Sequence, residues 1–236
     1  MLREFLRKRR AAKRAVADDQ RDALMNDDAG KADYWNMLQS ECDESSLIAL
    51  LEQALELPGD VIECGVFRGA SLRRIAKTVK DRAPERTVFG LDSFEGFPDG
   101  GITEEDTQQF RSETRLMGKF KDADDAPARL NRMAEVFDIK LDLRKGYFEN
   151  TLPTVAENTF CFLHIDCDTY AGHKEVLESL YDQLVPGAVI VFDDYNDENW
   201  PGATKAVDEF SAEKGLTIEQ SMVRKDPAWF CRKPAG

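Results

Sequence analysis

A chain of 236 residues, 42% of them hydrophobic, is long enough for one α/β domain with a sizeable core and a helical extension. Its formal charge of −13 argues against a nucleic-acid binder that works by neutralising phosphates, because most of the surface repels a duplex. No run of about 20 apolar residues is present to span a membrane, and the start of the chain lacks the apolar stretch of a secretory signal.

The acidity has one local exception. Within the first 16 residues Arg3, Arg7, Lys8, Arg9, Arg10, Lys13 and Arg14 face Glu4 alone. This reads as a basic helical arm, either solvated against a partner subunit or touching an anionic ligand or surface. Residues 1–57 are expected to be mostly helical; after Ser45 and Ser46 an apolar face runs through Leu47, Ile48, Leu50, Leu51, Ala54 and Leu55 and stops before Pro58-Gly59. Alternation begins there. Strands are predicted at 61–64, 87–91, 139–143, 160–165 and 188–192, with helices at 71–80, 126–137, 152–157, 172–183 and 203–214. A turn is expected at Pro186-Gly187, and strand-like runs at 216–218 and 229–231 suit an antiparallel edge. Such alternation implies a mostly parallel sheet covered on both faces.

Cys42, Cys64, Cys161, Cys167 and Cys231 are odd in number and form no C-x-x-C pair, so they read as reduced thiols of a cytoplasmic protein. Cys64 and Cys161 fall in strands, where a thiol behaves as a small hydrophobe.

Chemistry concentrates at two places. The strands 160–165 and 188–192 form a βαβ unit, must run parallel, and end on Asp166 and on the pair Asp193-Asp194. Three carboxylates at one sheet edge repel one another, and a hard divalent cation such as Mg2+ offsets that repulsion. The second place is the turn after the first strand, Glu63-Cys64-Gly65-Val66-Phe67-Arg68-Gly69-Ala70-Ser71. Gly65 and Gly69 permit a sharp turn and close approach of a ligand to a helix N-terminus. Glu63 stands where a dinucleotide fold places its first glycine, which disfavours NAD and suggests a ligand carrying a cation. Asp92, at the end of the second strand, is placed to hold the hydroxyls of a ribose, and the combination points to an adenosyl cofactor.

The motifs E-C-G-V-F-R-G-A-S, L-D-S-F-E-G-F-P at 91–98, G-Y-F-E-N-T-L-P at 146–153, H-I-D-C-D-T-Y at 164–170 and F-D-D-Y at 192–195 resemble the macrocin O-methyltransferase family from about residue 45 onward. The resemblance implies a class I S-adenosylmethionine (SAM)-dependent methyltransferase that needs Mg2+ and methylates hydroxyls, typically of sugars on natural products. The fold implied is a doubly wound, mostly parallel seven-stranded sheet, Rossmann-like, over 58–236, with a helical extension over 1–57. By position, Glu63, Gly65 and Gly69 would line the methionine part of the cofactor, Asp92 would hold the ribose, and Ser71 and Ser93 are further candidates. Asp166, Asp193 and Asp194 would bind the metal. A homodimer or larger assembly and a small hydroxylated acceptor, a glycoside above all, belong to the same expectation.

The general base stays open between Asp166 and His173. The related catechol-type enzymes carry a lysine three residues after the first metal aspartate, and this chain has Thr169 there. His173 begins a helix after the metal loop and titrates near neutrality, whereas His164 lies on a strand and reads as a core residue. The acid-rich span 104–125 is either a lid or a solvated insertion. A phenol or catechol acceptor is the alternative within the enzyme reading, and a non-catalytic assembly subunit is the alternative outside it.

Overall fold

The structure, a computed structural model, describes residues 2–107, 120–123 and 125–235, with side chains from residue 13 onward. Three helices come first: α1 (Leu2–Ala23), α2 (Asp28–Asp43) and α3 (Ser46–Ala54). Asp27 caps α2 by accepting a hydrogen bond from the Gly30 amide at 2.8 Å. Strands and helices then alternate as β1 (Asp60–Cys64), α4 (Ala70–Arg82), β2 (Val88–Asp92), α5 (Ala126–Phe137), β3 (Leu141–Lys145), the short α6 (Phe148–Thr151), β4 (Phe160–Ile165), α7 (Tyr170–Leu180), β5 (Leu184–Phe192), α8 (Pro201–Lys214), β6 (Glu219–Ser221) and β7 (Ala228–Arg232).

The seven strands form one sheet in the order β3-β2-β1-β4-β5-β7-β6. β1 to β5 are mutually parallel and β7 runs antiparallel to both neighbours, so the doubly wound, mostly parallel sheet with an antiparallel edge is present. All six residues of β4 are buried, as a central parallel strand covered on both faces requires. Alternate residues feed opposite cores. Val61 and Val189 join Leu72, Ile75 and Leu130 on one face, together with Tyr34, Leu38 and Ile48 of the N-terminal helices. Ile62 and Ile190 join Val176, Leu177 and Val207 on the other. No helix among the described residues is long and apolar enough to cross a membrane.

Three boundaries depart from the sequence pattern, each for a local reason. Pro186-Gly187 does not end a turn before β5 but lies inside it. The register with β4 slips there, from Leu184 opposite Phe160 to Val189 opposite Phe162, and Gly187 takes φ 84°. β3 begins two residues late, because Ile139 donates back to the Ala134 carbonyl to close α5 after Asp138, at φ 52°. Likewise Leu216 donates to Ser211 at the end of α8, which delays the strand to Glu219.

Strand order reverses on either side of β1. A crevice opens beyond the carboxyl ends of β1 and β4, where a doubly wound sheet binds its ligands.

Candidate active site

The turn from β1 to α4 is built from backbone in left-handed conformations, with φ 91° at Gly65, 49° at Phe67 and 78° at Gly69. A β-carbon on Gly65 would lie 1.8 Å from the Asp166 carbonyl oxygen, so only glycine lets this turn close against the end of β4. At Gly69 the left-handed backbone itself favours glycine, and a β-carbon there would push on the flexible Leu130 side chain at 2.6 Å.

Asp92 closes the turn from the side. Its Oδ2 accepts from the Val66 and Phe67 amides, both at 2.7 Å, and its Oδ1 accepts from the Phe94 amide at 2.6 Å. Ser93 is similarly engaged, its hydroxyl donating to the Gly96 carbonyl at 2.7 Å and accepting from the Glu95 amide at 3.1 Å. Both residues line a cavity of about 420 Å³ that also contacts Gly65, Phe67, Phe97, Phe120, Tyr147 and Asp166. Phe97, Phe120 and Trp200 pack edge-on or tilted, with centroids 5.6 to 6.3 Å apart, as an aromatic wall.

Glu63 is elsewhere. It is fully buried behind the cavity, and its Oε1 pairs with His164 Nδ1 at 2.7 Å while its Oε2 has no partner. The group facing Glu63 is thus the His164 imidazole of β4, and Glu63 does not line the cavity. His164 Nε2 in turn lies 4.0 Å from Asp193 Oδ1.

Asp166, Asp193 and Asp194 meet as the βαβ geometry requires. Ile165 of β4 is opposite Phe192 of β5, and one ligand oxygen from each aspartate lies within 4.8 Å of the others. Burial, then Asp193 and Asp194, raises the Asp166 pKa well above the carboxylate range. Burial, with Asp193 next, pushes Asp194 to about 7. Three carboxylate donors this close, with burial and then repulsion raising Asp166 and Asp194, make the donor set a hard divalent cation favours, so the residues fit Mg2+.

His173 does not join them. Its side chain is fully buried outside the cavity lining, Nδ1 lies 3.0 Å from the Thr169 carbonyl and 3.4 Å from Cys167 Sγ, and Nε2 meets no partner. Burial lowers its pKa to about 4. A sealed, weakly basic imidazole is poorly placed to take a proton from an acceptor, so geometry withdraws the general-base role expected of it. Cys167 lines the cavity, but burial, then Asp194, raises its thiol well above the usual range, which leaves little thiolate for nucleophilic work.

Residues 35–232 match the model of the macrocin O-methyltransferase family. The chain belongs to that family. Mycinamicin III 3''-O-methyltransferase of Micromonospora griseorubida is 33% identical over 180 residues, spanning 72% of this chain and 67% of its own length. Demethyldecarbamoylnovobiocin O-methyltransferase of Streptomyces niveus is 29% identical over 179 residues, spanning 75% and 67%. Among solved structures, the calicheamicin methyltransferase CalS11 superposes with TM-score 0.71 at 26% identity over 92% of this chain and 91% of its own. The O-methyltransferase NovP superposes at 0.64 with 25% identity over 80% and 79%. As a member of this family the chain is a SAM-dependent O-methyltransferase, and its cavity lies at the edge where the fold places the cofactor.

Two residues of this methyltransferase escaped the sequence reading. Asp168, two positions after Asp166, lines the cavity at φ 64°, and its amide donates to Asp194 Oδ2 at 2.8 Å. Aspartate tolerates this left-handed backbone, and the i, i+2 spacing of acids in H-I-D-C-D was the available clue. Asp106 is buried and pins its loop to the start of α7, accepting from the Tyr170 amide at 2.8 Å and the Thr103 amide at 2.9 Å. Gly202 at the start of α8 has no room for a β-carbon, which would sit 2.0 Å from Asp106 Oδ1. The T-E-E-D spacing of a capping box announced that anchor. Most of the span expected to form a lid or insertion, 108–119, lies outside the described residues.

Proposed function

We propose that the chain transfers the methyl group of SAM to a hydroxyl of a sugar carried by a natural product or glycan, with Mg2+ held by Asp166, Asp193 and Asp194. The observation that carries this reading is the convergence of those three carboxylates at the ends of β4 and β5, with Asp166 lining the cavity that Asp92 and Gly65 also border. A relative from Streptomyces olivaceus, the 8-demethyl-8-(2,3-dimethoxy-alpha-L-rhamnosyl)-tetracenomycin-C 4'-O-methyltransferase, acts on a molecule carrying a sugar, which supports a glycoside acceptor.

Bound SAM supplies a methyl on a sulfonium that needs no further activation. A bound Mg2+ would lower the pKa of a coordinated hydroxyl. Asp92, held rigid by three amides, is placed to accept from ribose hydroxyls through its remaining lone pairs. Asp166 and Asp168 both line the cavity, and we assign proton acceptance to this carboxylate pair in place of His173. Phe97 and Phe120 wall the cavity against water and offer flat apolar faces to a ring. A cytoplasmic setting is part of the proposal, supported by five buried cysteines that all stand as free thiols.

The test is transfer of labelled methyl from SAM into a panel of hydroxylated glycosides, with catechols alongside, in Mg2+ and after chelation. Labelling of a glycoside that stops on chelation and returns with Mg2+ is the expected result. Labelling confined to catechols would overturn the acceptor class, and labelling indifferent to chelation would overturn the metal assignment.

A further inference from the structure

His164 is buried beside the aspartate trio, yet none of the chemistry above uses it. Its place follows from the sheet. In the parallel register of β1 and β4 it lies opposite Glu63. On β4 it stands two residues before Asp166, so the same side of the pleat presents both. Glu63, His164 and Asp166 each bring a ligand atom within 4.8 Å of the other two.

Glu63 fixes the ring. Its Oε1 accepts from His164 Nδ1 at 2.7 Å, and its Oε2 meets no partner, so all of its side-chain hydrogen bonding goes to this imidazole. With Nδ1 carrying the hydrogen of that bond, Nε2 is the nitrogen turned to the trio, 4.0 Å from Asp193 Oδ1. Both residues of the pair are sealed, at 0% and 1% exposure, which leaves the ring little room to turn.

The three aspartates are not held alike. Asp194 is buried and accepts from the Asp168 amide at 2.8 Å. The Asp193 side chain is 60% exposed, and among the described residues the one polar side chain set beside it, apart from its fellow acids, is His164. An exposed carboxylate keeps its rotamer freedom unless a group on its inner side directs it. Nε2 is such a group, because a water between the two can donate one hydrogen to the ring and the other to Oδ1.

We propose that His164 is a positioning residue for the metal carboxylates: Glu63 holds the ring, and the ring turns Asp193 toward Asp166 and Asp194. The proposal rests on the metal reading above and adds to it a carboxylate, histidine and carboxylate relay behind the trio. Glu63 then serves the cation site rather than the cofactor.

Two substitutions divide the ring into its halves. In His164→Asn the amide nitrogen stands near the place of Nδ1 and keeps the bond to Glu63, but nothing reaches Asp193. In His164→Gln the longer amide stands near the place of Nε2 and faces Asp193, but Glu63 loses its donor. Mn2+ titration followed by electron paramagnetic resonance, isothermal titration with S-adenosylhomocysteine and the melting temperature in chelator are compared for both. His164→Asn is expected to weaken Mn2+ about tenfold or more while leaving S-adenosylhomocysteine within about twofold and the melting temperature near that of wild type. His164→Gln is expected to recover most of the Mn2+ affinity at a lower melting temperature. Unchanged Mn2+ affinity in His164→Asn would overturn the proposal. Loss of Mn2+, S-adenosylhomocysteine and melting temperature together in both variants would also overturn it, since a residue that only fills the core behaves so. A wild-type chain that holds S-adenosylhomocysteine but no Mn2+ overturns the metal reading itself.

Discussion

Two sets of carboxylates stand at the same sheet edge in opposite states. Asp92 accepts three backbone hydrogen bonds at 2.6 to 2.7 Å and completes the turn it faces. Asp166, Asp193 and Asp194 face one another, and burial with mutual repulsion lifts Asp166 and Asp194 out of the ordinary carboxylate range. The first arrangement stabilises the fold without a ligand. The second costs stability unless its charge is offset, and that contrast separates an acid already satisfied by the turn it closes from a cluster that the proposed cation would satisfy, even though both end a parallel strand.

Removing one member from each set should therefore have opposite effects on the fold. Asp194→Asn is expected to cut methyl transfer about 10²- to 10³-fold while leaving the metal-free chain as stable as wild type or slightly more so, because repulsion is relieved. Steady-state rates and urea unfolding in chelator check both halves, and a clear loss of stability would break the comparison. Asp92→Ala leaves three amides without their acceptor and is expected to lower unfolding free energy by about 3 kcal/mol with or without Mg2+. An unchanged urea midpoint would show that water replaces the carboxylate in the turn.

Acidity sharpens the same contrast. Asp194 has a folded-state pKa raised from 3.8 to about 7, so it binds more protons folded than unfolded, and its contribution to stability falls as pH rises through that window. The proposed cation would replace those protons. The rise in melting temperature on adding Mg2+ is expected to grow from about pH 5.5 to about pH 8, and a rise that shrinks instead would contradict the assignment. His173 acts in the other sense: its pKa falls from 6.5 to about 4 on folding, so its contribution is lost as pH drops through that range. The smallest effect is expected at this residue's chemistry. His173→Gln should leave the shape of the rate–pH profile unmoved while costing about 1 to 2 kcal/mol of stability, and disappearance of an essential ionisation would restore the histidine as base.

The sheet, its order of alternation and the aspartate trio were legible because each rests on a local pattern: short apolar β-prone runs, a turn between them and acids at strand ends. What the pattern could not carry was orientation. Glu63 and Asp92 both occur near strand ends, yet only Asp92 reaches the cavity, while Glu63 meets His164 on the neighbouring strand. His173 shares that difficulty, since its place at a helix start does not reveal that the ring turns toward Thr169 and Cys167. Asp106 was hidden within an acid-rich stretch whose composition suggested solvent, although one of its partners, the Tyr170 amide, lies 64 residues away. Gly65 and Gly69 were both read as ligand-facing; Gly65 lines the cavity and closes against Asp166, whereas Gly69 holds left-handed backbone at the start of α4 without lining it.

The most direct test of the trio as a cation site is Mn2+ titration followed by electron paramagnetic resonance, comparing wild type with Asp166→Asn and Asp194→Asn in the presence of S-adenosylhomocysteine. One saturable Mn2+ per wild-type chain, displaced by Mg2+ and lost in both variants while S-adenosylhomocysteine still binds, is the expected result. Saturable Mn2+ binding that survives both substitutions, or no Mn2+ binding to a wild-type chain that holds S-adenosylhomocysteine, would contradict it.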